Sequence, residues 1–232
     1  MSSLISQAVR ELAEPKLAEF TAKLIPTVDP ERILGVRMPA LRKLAKKLLR
    51  EHPQEASEFK AAVPHDFQEE DLLHVLLLNE ERDFATWHAE ITNFLPYMTN
   101  WTLTDAVSPA CAKGRNAANL PQLERACLNW MLDDRVYVQR LGVVVLMSLL
   151  TTDSFSPEHL QAVAALAGSE EYYVRVAVAG ILRRRWLARN TLLSPGSRSP
   201  IVPAIPIRPV YLRWRFAWRS RRLSSHAAFR TS

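Results

Sequence analysis

A tryptophan, an aspartate and an arginine are spaced so that a helical chain could bring their side chains to one surface. Trp101 and Asp105 stand four residues apart in the segment NWTLTDAVSP, and residues at that spacing share one face of a helix. Arg140 follows Asp105 by 35 residues, about the length of one helix pair, which could place it on the same face of the next pair. The three would combine an aromatic face, a carboxylate and a guanidinium. The same spacing also fits a half-buried core tryptophan beside a structural ion pair between two repeats.

Basic residues on either side of this group form a second set of candidates, because lysine and arginine can grip phosphates. They lie around a predicted helix that begins near Pro39 and directly after the Asp105 helix. The candidates are Arg37, Arg42, Lys43, Lys46, Lys47, Lys113 and Arg115. Lysine and arginine on an amphipathic helix also form an ordinary solvated face, so both interpretations stay open at this point.

Several other kinds of site are disfavoured. His74 with Asp71, and His88 with Glu90, form no coherent set of metal ligands, and the sequence contains no HExxH motif. GxGxxG, Walker and GxSxG patterns are also absent. We therefore expect neither a metal nor a cofactor.

The positive charge of the chain is concentrated at its C-terminal end. A formal net charge of +6 and a pI near 9.6 suggest a nucleic-acid partner. After Glu171, however, the sequence has thirteen arginines and no Asp, Glu, Lys or Gln, whereas residues 1–171 hold 17 basic and 24 acidic residues, a net charge of −7. The bulk charge of the body thus gives no support for DNA binding, although a local basic stripe would be sufficient.

Neither export nor a membrane span is indicated. The N-terminal segment lacks a basic region followed by an apolar stretch, and the longest apolar run, from Leu141 to Leu150, is too short to cross a bilayer. Cys111 and Cys127, the two cysteines, lack CxxC spacing, which is typical of core residues in a reducing compartment. We expect a cytoplasmic, monomeric protein with no membrane partner.

The apolar pattern predicts an all-α fold. From Leu4 to about Arg183 apolar residues recur at helical spacing, with Pro, Asp, Asn or Ser at the breaks. The predicted helices are residues 4–25, 38–51, 55–62, 68–79, 83–95, 101–112, 119–131, 135–150, 157–167 and 171–183. Short helices in this order are typical of an α-solenoid of HEAT-like antiparallel helix pairs, here one domain over residues 1–183.

Residues 184–232 break this pattern. The segment SPGSRSPIVPAIPIRPV is proline-rich and unperiodic, and the residues after it combine arginine and tryptophan without acidic partners. One interpretation is an RNA-binding arm. The other, which we favour, is translation in a shifted frame: GILRRRWLARN, at 180–190, has a back-translation that reads WYFATALARQE one base earlier, an ordinary amphipathic helix. We treat residues 184–232 as a disordered or non-native tail.

Over about residues 15–179 the sequence resembles the AlkD-type DNA alkylation repair proteins, which are HEAT-like DNA glycosylases. The resemblance is carried by four segments in order: ILGVRMPALRKLAKKL, NWTLTD, VYVQRLGVVVLM and SEEYYVRVAVA. It implies hydrolysis of the N-glycosidic bond of N3- or N7-alkylated purines in duplex DNA, without metal or cofactor. Trp101, Asp105 and Arg140 match the family's active-site Trp, Asp and Arg.

The resemblance also implies a role for each residue. Asp105 would stabilise positive charge on the deoxyribose and place a water, Trp101 would pack on the sugar of the lesion nucleotide, and Arg140 would hold the DNA backbone and Asp105. A further tryptophan of the family falls at position 180, where this chain has Gly180 at the onset of the aberrant tail. Because the chain also lacks the terminal helices that would cap the array, we expect reduced stability and reduced or absent activity. The alternative from another class is a non-catalytic HEAT-like module that binds DNA or a protein.

Overall fold

The computed structural model describes residues 4–151 and 155–192, without the side chains of residues 114–115, 150–151 and 186–192. All regular elements in these ranges are helical, which confirms the predicted all-α fold. The predicted tail lies outside the described residues from position 193 onward.

Eleven α-helices, joined in places by short 3-10 turns, make up the described part of the chain. They are α1 (Leu4–Arg10), α2 (Pro15–Ala22), α3 (Met38–Glu51), α4 (Pro53–Ala61), α5 (Gln68–Leu78), α6 (Phe84–Phe94), α7 (Trp101–Ala106), α8 (Leu120–Met131), α9 (Val136–Met147), α10 (Pro157–Ala165) and α11 (Tyr172–Leu192).

Alternate helices form one continuous row. α3 packs against α5, α5 packs against α7, and α7 packs against α9. Of the intervening helices, α4 packs on α3 and α5, α6 packs on α5, and α8 packs on both α9 and α10. Because each helix contacts its near neighbours along the chain, the array is built from successive helix pairs.

The amphipathic pattern of α3 shows how the row is held. Leu41, Ala45 and Leu48 are spaced at helical intervals and are at most 2% exposed, so one side of α3 packs on α5. The other side carries exposed basic residues, namely Arg42, Lys43, Lys46 and Lys47. The first helix of the row therefore presents a cationic surface to solvent.

The predicted helix 4–25 is wrong as a single element, because the structure divides it into α1 and α2. Pro15 is the first residue of α2, and Glu14 before it is extended, with φ −124° and ψ 102°. A residue that precedes proline is sterically driven out of the helical region, and proline itself suits the first turn of a helix. Pro15 therefore marks the boundary between α1 and α2, although the apolar periodicity continues across it.

Two other predicted boundaries differ from the structure by more than three residues. α7 ends at Ala106, short of the predicted 112, because Pro109 follows and only a 3-10 turn forms at Ala110–Ala112. α11 continues to Leu192, past the predicted end at 183.

The first turn of α5 is acidic and yet buried. Gln68, Glu69, Glu70 and Asp71 are each at most 3% exposed. Glu70 caps its own helix, since its Oε2 accepts hydrogen bonds from the backbone N–H groups of residues 66 and 67. The other acids are directed at partners elsewhere in the chain.

Glu69 joins α5 to the loop before α3. Its carboxylate accepts hydrogen bonds from the backbone N–H groups of Leu34, Gly35 and Val36, at 2.9, 2.7 and 3.3 Å. Gly35 has a φ of +76°, and a Cβ there would clash with the backbone oxygen of Glu14, so glycine is required. This buried carboxylate fixes the start of α3.

Asp71 is held in an unfavourable environment for its charge. Burial raises the pKa of its carboxyl from 3.8 to about 7, and the Arg32 guanidinium, 3.3 Å from Oδ2, offsets this only in part. The folded protein thus keeps a proton that the unfolded chain releases near pH 4. The stability that this group contributes is present at low pH and is lost as the pH rises towards 7.

The substitution Asp71→Asn is expected to remove the loss of stability that accompanies ionisation of Asp71. From roughly pH 5 to 7.5 the free energy of unfolding of the variant should rise relative to wild type, by up to about 1.4 kcal/mol per pH unit, because only the wild-type protein must ionise a buried carboxyl. Urea unfolding at a series of pH values measures this difference. Asp66→Asn, which removes an exposed carboxyl close by, controls for the loss of one charge. Parallel curves for wild type and Asp71→Asn would contradict the assignment.

Candidate active site

The orientation of α7 is fixed at its first turn. Asn100 is fully buried, and its side-chain oxygen accepts a hydrogen bond from the backbone N–H of Thr102 at 3.0 Å, as an N-cap does. Its amide also exchanges hydrogen bonds with Gln68 of α5, which donates in turn to the hydroxyl of Thr102 at 2.9 Å. The paired side-chain amides of Asn100 and Gln68 thus hold the first turn of α7 against α5.

Trp101 is half-buried and is held by the N-terminal part of the chain. Its Nε1–H donates a hydrogen bond to the backbone oxygen of Leu24 at 3.0 Å. The indole packs against a small apolar cluster formed by Ile25, Val28 and Ile33, which is separate from the main core. Because the only donor of the indole is already used, Trp101 offers a ligand its ring surface.

Asp105 and Arg140 meet, as their spacing predicted. Arg140 Nη2 lies 2.8 Å from Asp105 Oδ1 and 3.1 Å from Oδ2, and Nε lies 3.2 Å from Oδ1. The two partners differ in environment, since the side chain of Arg140 is 7% exposed and that of Asp105 is 40% exposed. The pair therefore combines a buried anchor with a carboxylate that reaches solvent.

The two oxygens of Asp105 are not equivalent. Oδ1 is within hydrogen-bond distance of Arg140 Nε and Nη2 and of the Thr104 hydroxyl, the last at 3.2 Å. Among the described residues, Oδ2 contacts only Arg140 Nη2, at 3.1 Å. Oδ2 is thus the oxygen left with capacity for a water or a substrate.

Tyrosines near Arg140 form an aromatic surface that sequence reasoning missed. Arg140 Nη1 donates to the backbone oxygen of Tyr173 at 2.7 Å, which ties α9 to the first turn of α11. The Tyr173 ring lies 5.6 Å from that of Tyr137 and 5.3 Å from that of Tyr172, and Tyr172 is 53% exposed. The adjacent tyrosines in SEEYYVRV were the available signal, because paired aromatics at the start of a helix place one ring outside the apolar stripe.

Three of the predicted phosphate-binding residues line one recess at the C-terminal end of α7. Arg42 and Lys46 reach it from α3, and Lys113 reaches it from the segment after α7. The recess has a volume of about 270 Å³, and its wall includes Ala106, which directly follows Asp105. One acid, Glu80, also contributes to the lining. The recess is cationic on balance, with three positive groups and one negative.

The other predicted phosphate-binding residues are placed differently. Arg37 forms a bidentate pair with Glu14, at 2.7 and 2.8 Å, so its charge is already partnered. Lys43 and Lys47 are exposed on α3, and Lys47 lies 3.9 Å from an acidic residue of its own helix. The side chain of Arg115 lies outside the described residues.

A comparison of the sequence with models of protein families identifies the family of this chain. The model of a family described as DNA alkylation repair enzyme matches residues 5–185. The chain belongs to this family. No curated protein and no solved structure gave a significant match. The family gives the protein a role in DNA repair, with DNA as a partner, and the match spans Trp101, Asp105 and Arg140.

Position 180, where the sequence resemblance predicts a further tryptophan, lies within α11 and is Gly180. A Cβ built on Gly180 would meet Met147 Cε at 3.4 Å, which is ordinary van der Waals distance and the nearest contact from outside the helix. The backbone thus accepts a side chain at this position.

Two further findings concern metals and membranes. Among the described residues, no group of three His, Cys, Asp or Glu side chains is arranged to hold a metal ion. Within the same part of the chain, no helix combines the length and apolar character that crossing a bilayer requires.

Cys111 is buried, which raises the pKa of its thiol to about 11, so this cysteine is a poor nucleophile at neutral pH.

Asn100→Ala is expected to destabilise the protein by about 2 to 3 kcal/mol, because it removes an N-cap and leaves the buried amide of Gln68 without its partner. Asn100→Ser keeps a capping hydroxyl and should recover roughly half of that loss. Urea unfolding, followed by tryptophan fluorescence, measures both. A loss below about 0.5 kcal/mol for Asn100→Ala would show that the paired amides do not fix α7.

Proposed function

We propose that this protein is a DNA glycosylase that hydrolyses the N-glycosidic bond of N3- or N7-alkylated purines in duplex DNA. One observation carries the proposal: the exposed carboxylate of Asp105 is held by the buried guanidinium of Arg140. Asp105 also lies one helical turn after Trp101 in α7. Membership of the family supplies the DNA repair role. The site supplies groups that suit this particular reaction.

The chemistry asks little of the protein beyond electrostatics and positioning. A purine alkylated at N3 or N7 carries a positive charge, so it departs with the electron pair of the C1′–N bond and needs no general acid. Positive charge then develops on the deoxyribose, and a nearby carboxylate stabilises it. Asp105 also accepts a hydrogen bond from the attacking water through Oδ2, and the proton lost by that water passes to the carboxylate or to solvent. No step requires a metal or a cofactor.

Trp101 and Arg140 support the carboxylate in different ways. The free ring surface of Trp101 packs against the sugar of the damaged nucleotide, and its π face attracts the cationic base. Arg140 holds the orientation of Asp105 and lowers the cost of keeping a negative charge at the site. Because all of these groups lie on the open row of helices, the base need not enter a deep pocket.

The recess lined by Arg42, Lys46 and Lys113 is the proposed contact with the DNA backbone. Residues 1–171 are net negative, so the attraction for DNA must come from a local group of cations. Three cations at the C-terminal end of the Asp105 helix can hold phosphates on one side of the damaged nucleotide. Arg37, Lys43, Lys47 and Arg115 stay predicted contacts with neighbouring phosphates.

A second candidate function is a non-catalytic module that binds DNA or a protein. It is favoured by one observation: Arg140 is almost fully buried and contacts both oxygens of Asp105, as in a structural ion pair between helices. The exposure of Asp105 supports the glycosylase, because a carboxylate that reaches solvent can contact a substrate.

Asp105→Asn is expected to reduce excision by about a hundredfold or more, because the amide cannot stabilise the cationic transition state. Release of free 7-methylguanine from methylated duplex DNA under single-turnover conditions measures the rate. Asp134→Asn, which removes an exposed carboxyl from the loop between α8 and α9, is the matched control and should act like wild type. The series is repeated on a second chain in which WYFATALARQE replaces residues 180–190.

The outcomes of this series separate the candidates. Release that depends on Asp105 in both chains supports the glycosylase, and release confined to the altered chain identifies Gly180 and the residues after it as the defect. Equal release by wild type and Asp105→Asn would overturn the role of Asp105. No release from either folded chain would favour the non-catalytic module.

Replacement of both Arg42 and Lys46 by Gln is expected to weaken binding to undamaged duplex DNA and to lower the slope of log K against log salt by about 2, one for each phosphate that the variant no longer neutralises. The double variant Lys43→Gln with Lys47→Gln removes the same charge from the adjacent stripe of α3, outside the recess, and should have a smaller effect. Fluorescence anisotropy at several salt concentrations measures both. Equal decreases in affinity for the two double variants would show that the recess is not a preferred DNA-binding surface.

A further inference from the structure

The hydroxyl of Thr104 lies among all three residues of the candidate site. Thr104 is the residue before Asp105 in α7 and is fully buried. Its Oγ1 is 2.9 Å from the backbone oxygen of Trp101, 3.2 Å from Asp105 Oδ1 and 3.1 Å from Arg140 Nε. Sequence reasoning gave this residue no role.

The proton count restricts what this hydroxyl can do. It carries one proton, which it donates either to the Trp101 carbonyl or to Asp105 Oδ1, and its lone pairs remain free to accept from Arg140 Nε–H. Nε–H lies between two acceptors, Thr104 Oγ1 at 3.1 Å and Asp105 Oδ1 at 3.2 Å. The hydroxyl therefore holds Arg140 in place even when the carboxylate moves.

Three acceptors then fix the plane of the Arg140 guanidinium. Thr104 Oγ1 takes Nε, the backbone oxygen of Tyr173 takes Nη1, and the Asp105 carboxylate takes Nη2. Of the residues that supply these acceptors, Asp105 is exposed, Tyr173 is half-buried and Thr104 is fully buried. A guanidinium that is anchored at two points besides the carboxylate keeps its orientation when Asp105 turns to meet a ligand.

We propose that Thr104 is a positioning residue for the reaction. It holds Arg140 and the Oδ1 edge of Asp105 on the protein side, so that Oδ2 stays directed at the water and the deoxyribose. This inference rests on the proposed glycosylase function. It assigns Thr104 an effect on the rate of the chemical step and not on affinity for DNA.

A purely structural role makes a different prediction. Threonine inside a helix commonly bonds the carbonyl three or four residues earlier, and the contact with the Trp101 oxygen is of that kind. If this contact were the whole role, removal of the hydroxyl would change stability and leave the rate unaltered. The contacts with Arg140 and Asp105 are the ones that predict a change in rate.

The test compares Thr104→Val, which keeps the shape of the side chain without its hydroxyl, with Thr104→Ser, which keeps the hydroxyl. For Thr104→Val we expect the single-turnover rate of 7-methylguanine release to fall about tenfold, as loss of one hydrogen bond to a charged network implies, while affinity for the same duplex changes less than about twofold. Thr104→Ser should restore the rate to within about twofold of wild type. These variants are made in whichever of the two chains releases the base, the wild-type chain or the one with altered residues 180–190.

An NMR measurement decides the geometry without reference to activity. Solvent exchange of the Arg140 Nε–H, assigned by its disappearance in Arg140→Lys, should be about tenfold faster in Thr104→Val and near wild type in Thr104→Ser. Unchanged exchange, an unchanged rate of release, or a loss of affinity equal to the loss of rate would overturn the inference. If neither chain releases the base, the glycosylase proposal is wrong, and so is a role of Thr104 in that reaction. The exchange rates of the Arg140 Nε–H still establish whether Thr104 holds Arg140.

Discussion

A guanidinium taken out of water costs several kcal/mol unless its N–H groups find acceptors, and Arg140 meets this condition with acceptors on two other helices. It contacts Thr104 and Asp105 on α7 and the backbone oxygen of Tyr173 on α11. α7 has six residues, too few for a helix to be stable by itself. The geometry of the site therefore depends on tertiary contacts, from the amides of Gln68 and Asn100 at one end of α7 and from Arg140 at the other.

The electrostatics of the protein follow from where its acids are placed. Two of the acids at the start of α5 are buried, Glu69 beside backbone N–H groups and Asp71 beside Arg32, so their carboxyl groups are not part of the surface that DNA would contact. The cations of α3 point outward and are close to the Asp105 helix. Since screening at physiological salt limits the reach of a charge to roughly 8 Å, a net-negative body and a local DNA-binding surface are compatible.

Sequence reasoning predicted the helical class, most helix positions and the contact between Asp105 and Arg140, because helical periodicity and the length of a helix pair are local properties. It did not predict the break at Pro15, where continuous apolar periodicity outweighed the proline. Nor could it predict that the QEED turn of α5 is buried, since acids in a first turn are ordinarily solvated and favoured by the helix dipole. Thr104 was beyond reach for the same reason: its importance depends on which way a hydroxyl points once two distant helices have packed.

The two interpretations of the C-terminal end make different demands on α11. Its buried positions, Val174, Ala177, Val178 and Ile181, follow helical spacing and pack on the main core, and the side chains of Arg183 and Arg184 that come next are exposed. The apolar stripe thus weakens where the composition of the chain changes. A genuine basic arm would begin there without loss to the core, whereas a shifted frame would have replaced residues that continue the stripe. The backbone at Gly180 accepts a Cβ, whose nearest contact from outside the helix would be Met147 Cε at 3.4 Å. α11 is therefore compatible with the side chain that the shifted frame would place there.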